Sequence, residues 1–404
     1  PSGGKIWYAI AEDTALALVN LAKNNINTNQ IVTQDAVYNA MVVHAAFGGS
    51  TNLLLHVPAI AHAAGLKMPT REEWEKINRQ TPRLVNVLPA GKYSTAHVFA
   101  AGGVPEVMLH LRKLGLLKED CLTVTGKTLG ENLDVWEQGG KMYPWETDDK
   151  SNRREQVRFN LQEFNPDAHP DKVILSPENA KKENMKSTLT FPSGNLAPEG
   201  AVIKSGAIAP EMIDDNGIYY KKGAAKVFVA EADAIKAINQ GEIKPGHIII
   251  LIGTGPSGTG MEETFQVTGA LKQLSFGKEI ALITDGRFSG VSTGACIGHV
   301  GPEALVGGPI SKVQDGDIIE IKIDCDNLGG SINLIATHND PSAELIEDDI
   351  AKLLSNRSPH PQLRPHPELP NDIKIWAATQ NGIWEGCVQD ADRILKIMKA
   401  GMNA

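Results

Sequence analysis

The spacing of apolar and polar positions changes character along this chain. Up to about residue 135 it predicts helices separated by short turns. Asp13–Lys23 is amphipathic, with Leu16, Val19 and Leu21 near one side, and Pro105–Leu114 has proline in its first turn and Gly115 just beyond its end. Between them, Asn39–Gly65 reads as two apolar helical runs interrupted by GGSTN. From Val135 to Lys186 the chain turns polar, which predicts a connector with partial helix and a domain boundary. Beyond it β signals dominate. AVIK, KVFVA and HIIILI read as short strands, and Asp317–Asp324 alternates apolar with polar residues after the turn residues DGD. Ser358–Pro370 is too rich in proline for helix or central strand and predicts an extended surface segment, followed by a closing helix at Ala391–Ala400.

Within the β-rich part, two apolar runs each break into a glycine-bearing loop. His247–Ile252 opens into GTGPSGTG and then MEET, and Glu279–Thr284 breaks into DGRFSG. About a helix's length lies between them, so the stretch predicts a βαβ unit with both loops side by side at the carboxyl ends of parallel strands. Open α/β sheets bind ligands at that position.

The first loop, Gly253 to Gly258, matches the GxGxxG dinucleotide fingerprint. Against that reading, Pro256 removes a backbone N–H from the phosphate cradle. Asp285 lies 27 positions beyond Gly258, later than the ~20 of a ribose reader, and a second glycine loop follows it at once. Glu263, predicted at a helix start, is either a favourable partner for the helix dipole or a ligand for a hard cation such as Mg²⁺. Ser289 either bonds its own turn or, activated by a base or cation, takes part in chemistry; Arg287 is a candidate for that electrostatic help, and Asp285 a cap for the loop. Ser50, Thr51 and Asn52 of GGSTN offer hydroxyls and N–H groups suited to an anion, or simply an N-cap. His299 and Glu303 have metal-ligand spacing, but Pro302 between them argues against helix. His44, His56 and His62 read as packed or surface histidines.

Composition narrows the function classes. At 404 residues two domains are expected. The net charge of −9 argues against nucleic acid or an anionic membrane as the main partner, and no apolar run reaches the ~20 residues of a membrane span. Cys121, Cys296, Cys325 and Cys387 are far apart and form no CxxC pair, so buried thiols in a reducing cytoplasm are expected. The start carries no signal segment and no initiating methionine, which points to a piece of a longer product.

Taken together, GGSTN at 48–52, GNLAPEGAVIK at 194–204, GPSGTGMEE at 255–263, ITDGRFSG at 283–290, HVGPEA at 299–304 and GGPISKVQDGDIIEI at 307–321 resemble the dihydroxy-acid and sugar-acid dehydratase family, the group that includes phosphogluconate dehydratase. The wording around GGSTN and DGRFSG is most similar to the xylonate-type members. The resemblance implies an α/β fold: residues 1–135 as the remainder of a three-layer α/β domain, 136–186 as connector, 187–385 as a swivelling β/α barrel-like domain, and 386–404 as a C-terminal helix. It implies a cytoplasmic hydro-lyase that converts a 2,3-dihydroxy acid to a 2-keto-3-deoxy acid and assembles as a dimer or tetramer. Glu263 would be a Mg²⁺ ligand and Ser289 the base that takes the C2 proton. Arg287, Ser50, Thr51 and Asn52 would meet the substrate. The family's iron–sulfur cysteines belong to a region before GGSTN that is not in this sequence, and no cysteine here replaces them. The expectation is therefore a C-terminal two-thirds, inactive alone. An NAD(P)-dependent oxidoreductase and a non-catalytic module are the alternatives.

Overall fold

The computed structural model describes residues 5–141, 143, 153–289, 292, 294–365 and 370–402. Residues 144–152 of the polar stretch, Gly290 of the second loop and residues 366–369 of the proline-rich stretch lie outside the described residues. The chain forms two compact units. One comprises Pro1–Phe47, Ile60–Lys67 and Thr81–Met185, the other Gly48–Ala59, Met68–Gln80 and Lys186–Ala404.

The first unit is helical, with helices at Lys5–Lys23, Gln34–Phe47, Gly103–Lys113, Leu129–Gln138 and Arg153–Phe164 among its longer ones. The helix expected from Asp13 starts earlier, at Lys5. That expected at Pro105 starts at Gly103, where a left-handed Gly102 sets its entry. Thr128 and Glu131 cap their helix reciprocally, each side chain accepting the other's backbone N–H. The polar stretch contributes helices at Arg153–Phe164, Pro170–Val173 and Pro177–Lys182. A buried ion cluster ties one of them down: Glu106 accepts from Arg154 Nε and NH2 at 2.7 Å each and lies 3.2 Å from Arg158. Burial alone would raise the Glu106 carboxyl, but the two guanidinium groups hold it below its ordinary range.

Among the described residues the second unit is built on ten strands: β1 (Leu189–Thr190), β2 (Gly200–Lys204), β3 (Ile218–Phe228), β4 (Ile248–Leu251), β5 (Glu263–Thr264), β6 (Ala281–Thr284), β7 (Arg287–Phe288), β8 (Cys296–Gly301), β9 (Ile318–Asp324) and β10 (Gly329–Ala336). Eight form one mixed sheet in the order β1-β2-β8-β6-β4-β3-β9-β10, and β5 pairs with β7 alone. The central pairs β3–β4, β4–β6 and β6–β8 are parallel, and the outer ones antiparallel. β4 is apolar throughout and β6 apolar up to Thr284, and both are buried throughout, as strands covered on both faces must be. β9 keeps the alternation of its sequence, with Ile319, Ile321 and Ile323 inward.

The sheet nearly closes on itself. Past β1, Phe191 and Ser193 donate to Leu328 and Gly330, and Ile332 donates back to Ser193. The chain after β1 thereby satisfies backbone groups that β10 would otherwise present as an open edge. The interior is a continuous aliphatic core that includes Ile203, Ile250, Ile283, Ile297, Ile321 and Ile332.

Candidate active site

The two glycine loops leave the sheet together. β4 and β6 pair in parallel from Ile248↔Ala281 to Leu251↔Thr284, so Ile252 and Asp285 emerge at the same end. Asp285 joins the loops from inside. It is fully buried, and its carboxylate accepts from the N–H of Gly253 (3.1 Å), Thr254 (3.0 Å) and Ala304 (2.9 Å) and from the Thr254 hydroxyl (3.1 Å). Burial pushes its carboxyl up, while four donors aimed at it favour the charged form. Asp285 is a structural tie of the loops, not a ribose reader.

The segment between β4 and β6 departs from the expected single helix. A four-residue helical turn, Pro256–Thr259, ends at left-handed Gly260 and Met261. The short strand β5 follows, and the helix proper begins only at Gln266. Glu263 therefore sits on β5, not in a helix's first turn, and the dipole reading of this residue falls away. The fingerprint glycines serve packing within the protein. A Cβ on Gly258 would lie 1.9 Å from the Gly253 carbonyl oxygen, and one on Gly255 would lie 2.4 Å from Glu303 Oε2. A loop filled by its own chain leaves no cradle for a pyrophosphate, so the dinucleotide reading fails on geometry as well as on Pro256.

What the loops present is the β5–β7 pair, in which Glu263 stands opposite Arg287 and Thr264 opposite Phe288. Arg287 Nε donates to the Met261 carbonyl at 2.7 Å, and its backbone N–H to Glu262 at 2.9 Å. Asn52 completes the group: its Nδ2 donates to Glu263 Oε2 at 3.2 Å, and its Oδ1 accepts from Arg287 NH1 at 3.4 Å. The helix Leu53–Ala63 follows Asn52 directly, and Leu55 in its first turn is buried with Met261, Ile383 and Cys387. That apolar contact brings GGSTN to the first glycine loop across more than two hundred residues of chain. Ser50 Oγ accepts the Asn52 N–H at 3.3 Å, and Thr51 is buried beside it. Ser289 follows β7, half-buried, with its N–H bonded to the Thr264 carbonyl at 3.1 Å and its own carbonyl accepting from Ser292.

The remaining candidates separate. His299 and Glu303 do not act together. His299 lies on β8 with a left-handed backbone (φ 55°), while Glu303 follows the cis Gly301–Pro302 bond and caps a 3₁₀ turn. His299 is fully buried between Phe288 and Trp384, its ring centroid 6.5 and 6.4 Å from theirs, and neither ring nitrogen has a hydrogen-bond partner. Burial lowers its pKa to about 3, helped by the charge of Arg287, so the ring is neutral. Among the sequence-flagged histidines of the helical part, His44 is buried and His56 and His62 are exposed. Gln380 and Trp384, which lie beside Glu303 and His299, carried no signal in the sequence, since each stands outside any recognisable spacing; Glu199 lay within GNLAPEGAVIK but was not singled out.

For Mg²⁺, Glu263 offers one carboxylate that is 34% exposed, which suits a cation taking one or two protein carboxylates and filling its shell with other oxygens. For an iron–sulfur cluster the cysteines do not fit. Cys296, Cys325 and Cys387 are buried apart, Cys121 belongs to the other unit, and no group of three His, Cys, Asp or Glu gathers for a metal among the described residues.

Residues 5–132 match the dihydroxy-acid/6-phosphogluconate dehydratase N-terminal family model, and residues 172–340 match its C-terminal counterpart. The chain belongs to this dehydratase family, whose members are hydro-lyases. It is 54% and 52% identical to the D-xylonate dehydratases YjhG and YagF of Escherichia coli, over the whole of this chain and 60% of each relative. A dihydroxy-acid dehydratase of Caldanaerobacter subterraneus is 38% identical over 88% of this chain and 55% of that protein. The chain thus spans about 60% of the length of these two curated relatives. No helix among the described residues is long and apolar enough to cross a membrane.

Proposed function

We propose that this chain carries the proton-transfer half of a sugar-acid dehydratase, which removes water from an aldonate such as D-xylonate, or from a related 2,3-dihydroxy acid, to give a 2-keto-3-deoxy acid. The observation that carries the reading is the cluster Asn52–Glu263–Arg287 beside Ser289, formed by three sequence motifs and held by β5 and β7. Its chemistry suits the reaction. A C–H next to a carboxylate is a poor acid, so charge must be stabilised as the proton leaves.

In this reading Glu263 holds Mg²⁺, which when bound supplies a positive charge for the substrate's carboxylate end. Asn52 fixes the Glu263 carboxylate, and Arg287, locked by its bond to the Met261 carbonyl, sets a second positive charge beside it. Ser289, deprotonated to its alkoxide, takes the C2 proton at Oγ and so returns to the hydroxyl. Ser50 and Thr51 contribute hydroxyls toward the substrate. The iron–sulfur cluster of the family would be held by residues outside this sequence. The helical unit is read as the remainder of the larger dehydratase domain, and the assembly as a cytoplasmic homodimer or homotetramer.

The test is an assay of the complete protein containing this chain, reconstituted with iron, sulfide and Mg²⁺, for keto-acid formation from a panel of aldonates and branched dihydroxy acids. Turnover of D-xylonate is expected. A complete, cluster-loaded protein inert on every acid in the panel would overturn the reading.

A further inference from the structure

The face of the β5–β7 ladder that carries Glu263 and Arg287 carries a third large side chain. Along β5 burial alternates: Glu263 is half-buried, Thr264 has no exposed surface, and Phe265 just beyond it is 56% exposed. β7 repeats the pattern with half-buried Arg287, buried Phe288 and half-buried Ser289. Side chains two apart on a strand share a face. Thr264 and Phe288 therefore point inward together, and Glu263, Phe265, Arg287 and Ser289 share the outer face. The register continues past its last pair, Thr264↔Phe288. There the Ser289 N–H bonds the Thr264 carbonyl at 3.1 Å, which sets Phe265 beside Ser289.

Single exposed apolar side chains are ordinary on a protein surface. Phe265 differs in how its backbone is tied to Ser289. Its carbonyl accepts the Gly269 N–H and the Thr268 hydroxyl, each at 2.9 Å. That hydroxyl lies 3.2 Å from Ser292 Oγ, and the Ser292 N–H bonds the Ser289 carbonyl at 2.9 Å. With the bond from Ser289 to Thr264, these contacts close a ring of hydrogen bonds through both residues. An aromatic side chain is thereby fixed next to the proposed base, with more than half its surface open.

We infer that Phe265 is a specificity-determining residue of this site, packing against the substrate's carbon chain beyond C3. This rests on the dehydratase reading, in which the carboxylate end lies at Glu263 and Arg287 and C2 at Ser289. Phe265 stands two residues past Glu263 along the strand, about 6–7 Å, close to the length of an extended five-carbon acid. A substrate laid from Glu263 past Ser289 therefore brings its C4 and C5 against the ring. The electron-rich face of an aromatic ring favours contact with C–H groups, which the tail of an aldonate presents between its hydroxyls. A three-carbon acid such as glycerate has no tail to reach it.

Steady-state kinetics of the complete, cluster-loaded protein and its Phe265→Ala variant test this, on glycerate and on aldonates of increasing chain length. Phe265→Ala is expected to raise KM on D-xylonate about 10-fold, with kcat within about twofold, because a contact kept from ground state to transition state acts on binding alone. On glycerate, followed by turnover or as a competitive inhibitor, the change should stay within about twofold. Glycerate is also the control for folding, since a poorly folded variant would lose affinity for every acid alike. Phe265→Tyr, which keeps the ring, should retain the native KM. Equal losses at every chain length, or none at any, would overturn the inference and leave the dehydratase reading standing. An unsubstituted protein inert on every acid would overturn both.

Discussion

Glu263 and Arg287 are register partners in the parallel pairing of β5 with β7, and their side chains approach to 3.9 Å between Oε2 and NH1. The arginine is held chiefly by backbone: Nε bonds the Met261 carbonyl at 2.7 Å, leaving its outer nitrogens for Asn52 and the site. Lysine would keep the charge but not the planar fork that makes both contacts at once. Arg287→Lys in the complete protein is therefore expected to lower kcat/KM on the best acid substrate by about 10–100-fold, the equivalent of one charge-assisted hydrogen bond. Steady-state kinetics would check this, and an unchanged kcat/KM would remove Arg287 from the site.

Ser289 is the residue assigned the proton, and its backbone is fixed from both sides by Thr264 and Ser292. Removing only the hydroxyl should leave β7 and its neighbours in place. Ser289→Ala in the complete protein is expected to cut turnover by at least about 10³-fold, at the scale of losing a nucleophile or base. Its melting temperature and cluster absorbance should stay unchanged. Near-normal turnover would exclude Ser289 as the base.

Asp285 holds the two loops by accepting four hydrogen bonds in a site with no solvent. Asparagine would turn an NH₂ group toward one of those N–H donors, losing bonds and burying a mismatch. Asp285→Asn is expected to destabilise the chain by roughly 2–4 kcal/mol. Urea unfolding would measure it, and a loss below about 0.5 kcal/mol would show that the loops are held by other contacts.

The sequence displayed the parts of this fold that rest on local pattern. The buried strands at Ile248–Leu251 and Ala281–Thr284, the half-buried β9 and the adjacency of the two loops all follow from runs of apolar residues and the glycines that end them. It also marked Glu263, Arg287, Ser289 and Asn52, because each stands in a short motif. The segment around Glu263 was not legible as a strand. Two residues of β5 exist only because β7 lies beside them, and a pairing of that length has no periodicity. Gln380 and Trp384 were invisible for the same reason: their surroundings are made by tertiary packing around residues 299–303, not by their neighbours in sequence.

His299 and Glu303 tilt the pH dependence of stability in opposite directions. Neutral His299, lowered to about 3 by burial, does not bind the proton that the unfolded chain takes up near pH 6.5. Its contribution is therefore lost as pH falls through that window. Glu303, raised to about 7, keeps a proton that the unfolded chain gives up near pH 4.5, so its contribution is lost as pH rises from about 4.5 to 7. Each slope is at most about 1.4 kcal/mol per pH unit. Between pH 4.5 and 6.5 these two contributions nearly cancel. Glu303→Gln should expose the His299 slope, with stability climbing by about 1–3 kcal/mol from pH 4.5 to 6.5. His299→Asn, a residue that tolerates the left-handed backbone, should expose the opposite slope, with stability falling over the same range. Urea unfolding at half-unit pH steps would read both, and parallel profiles for the two variants would show that neither group titrates as its burial demands.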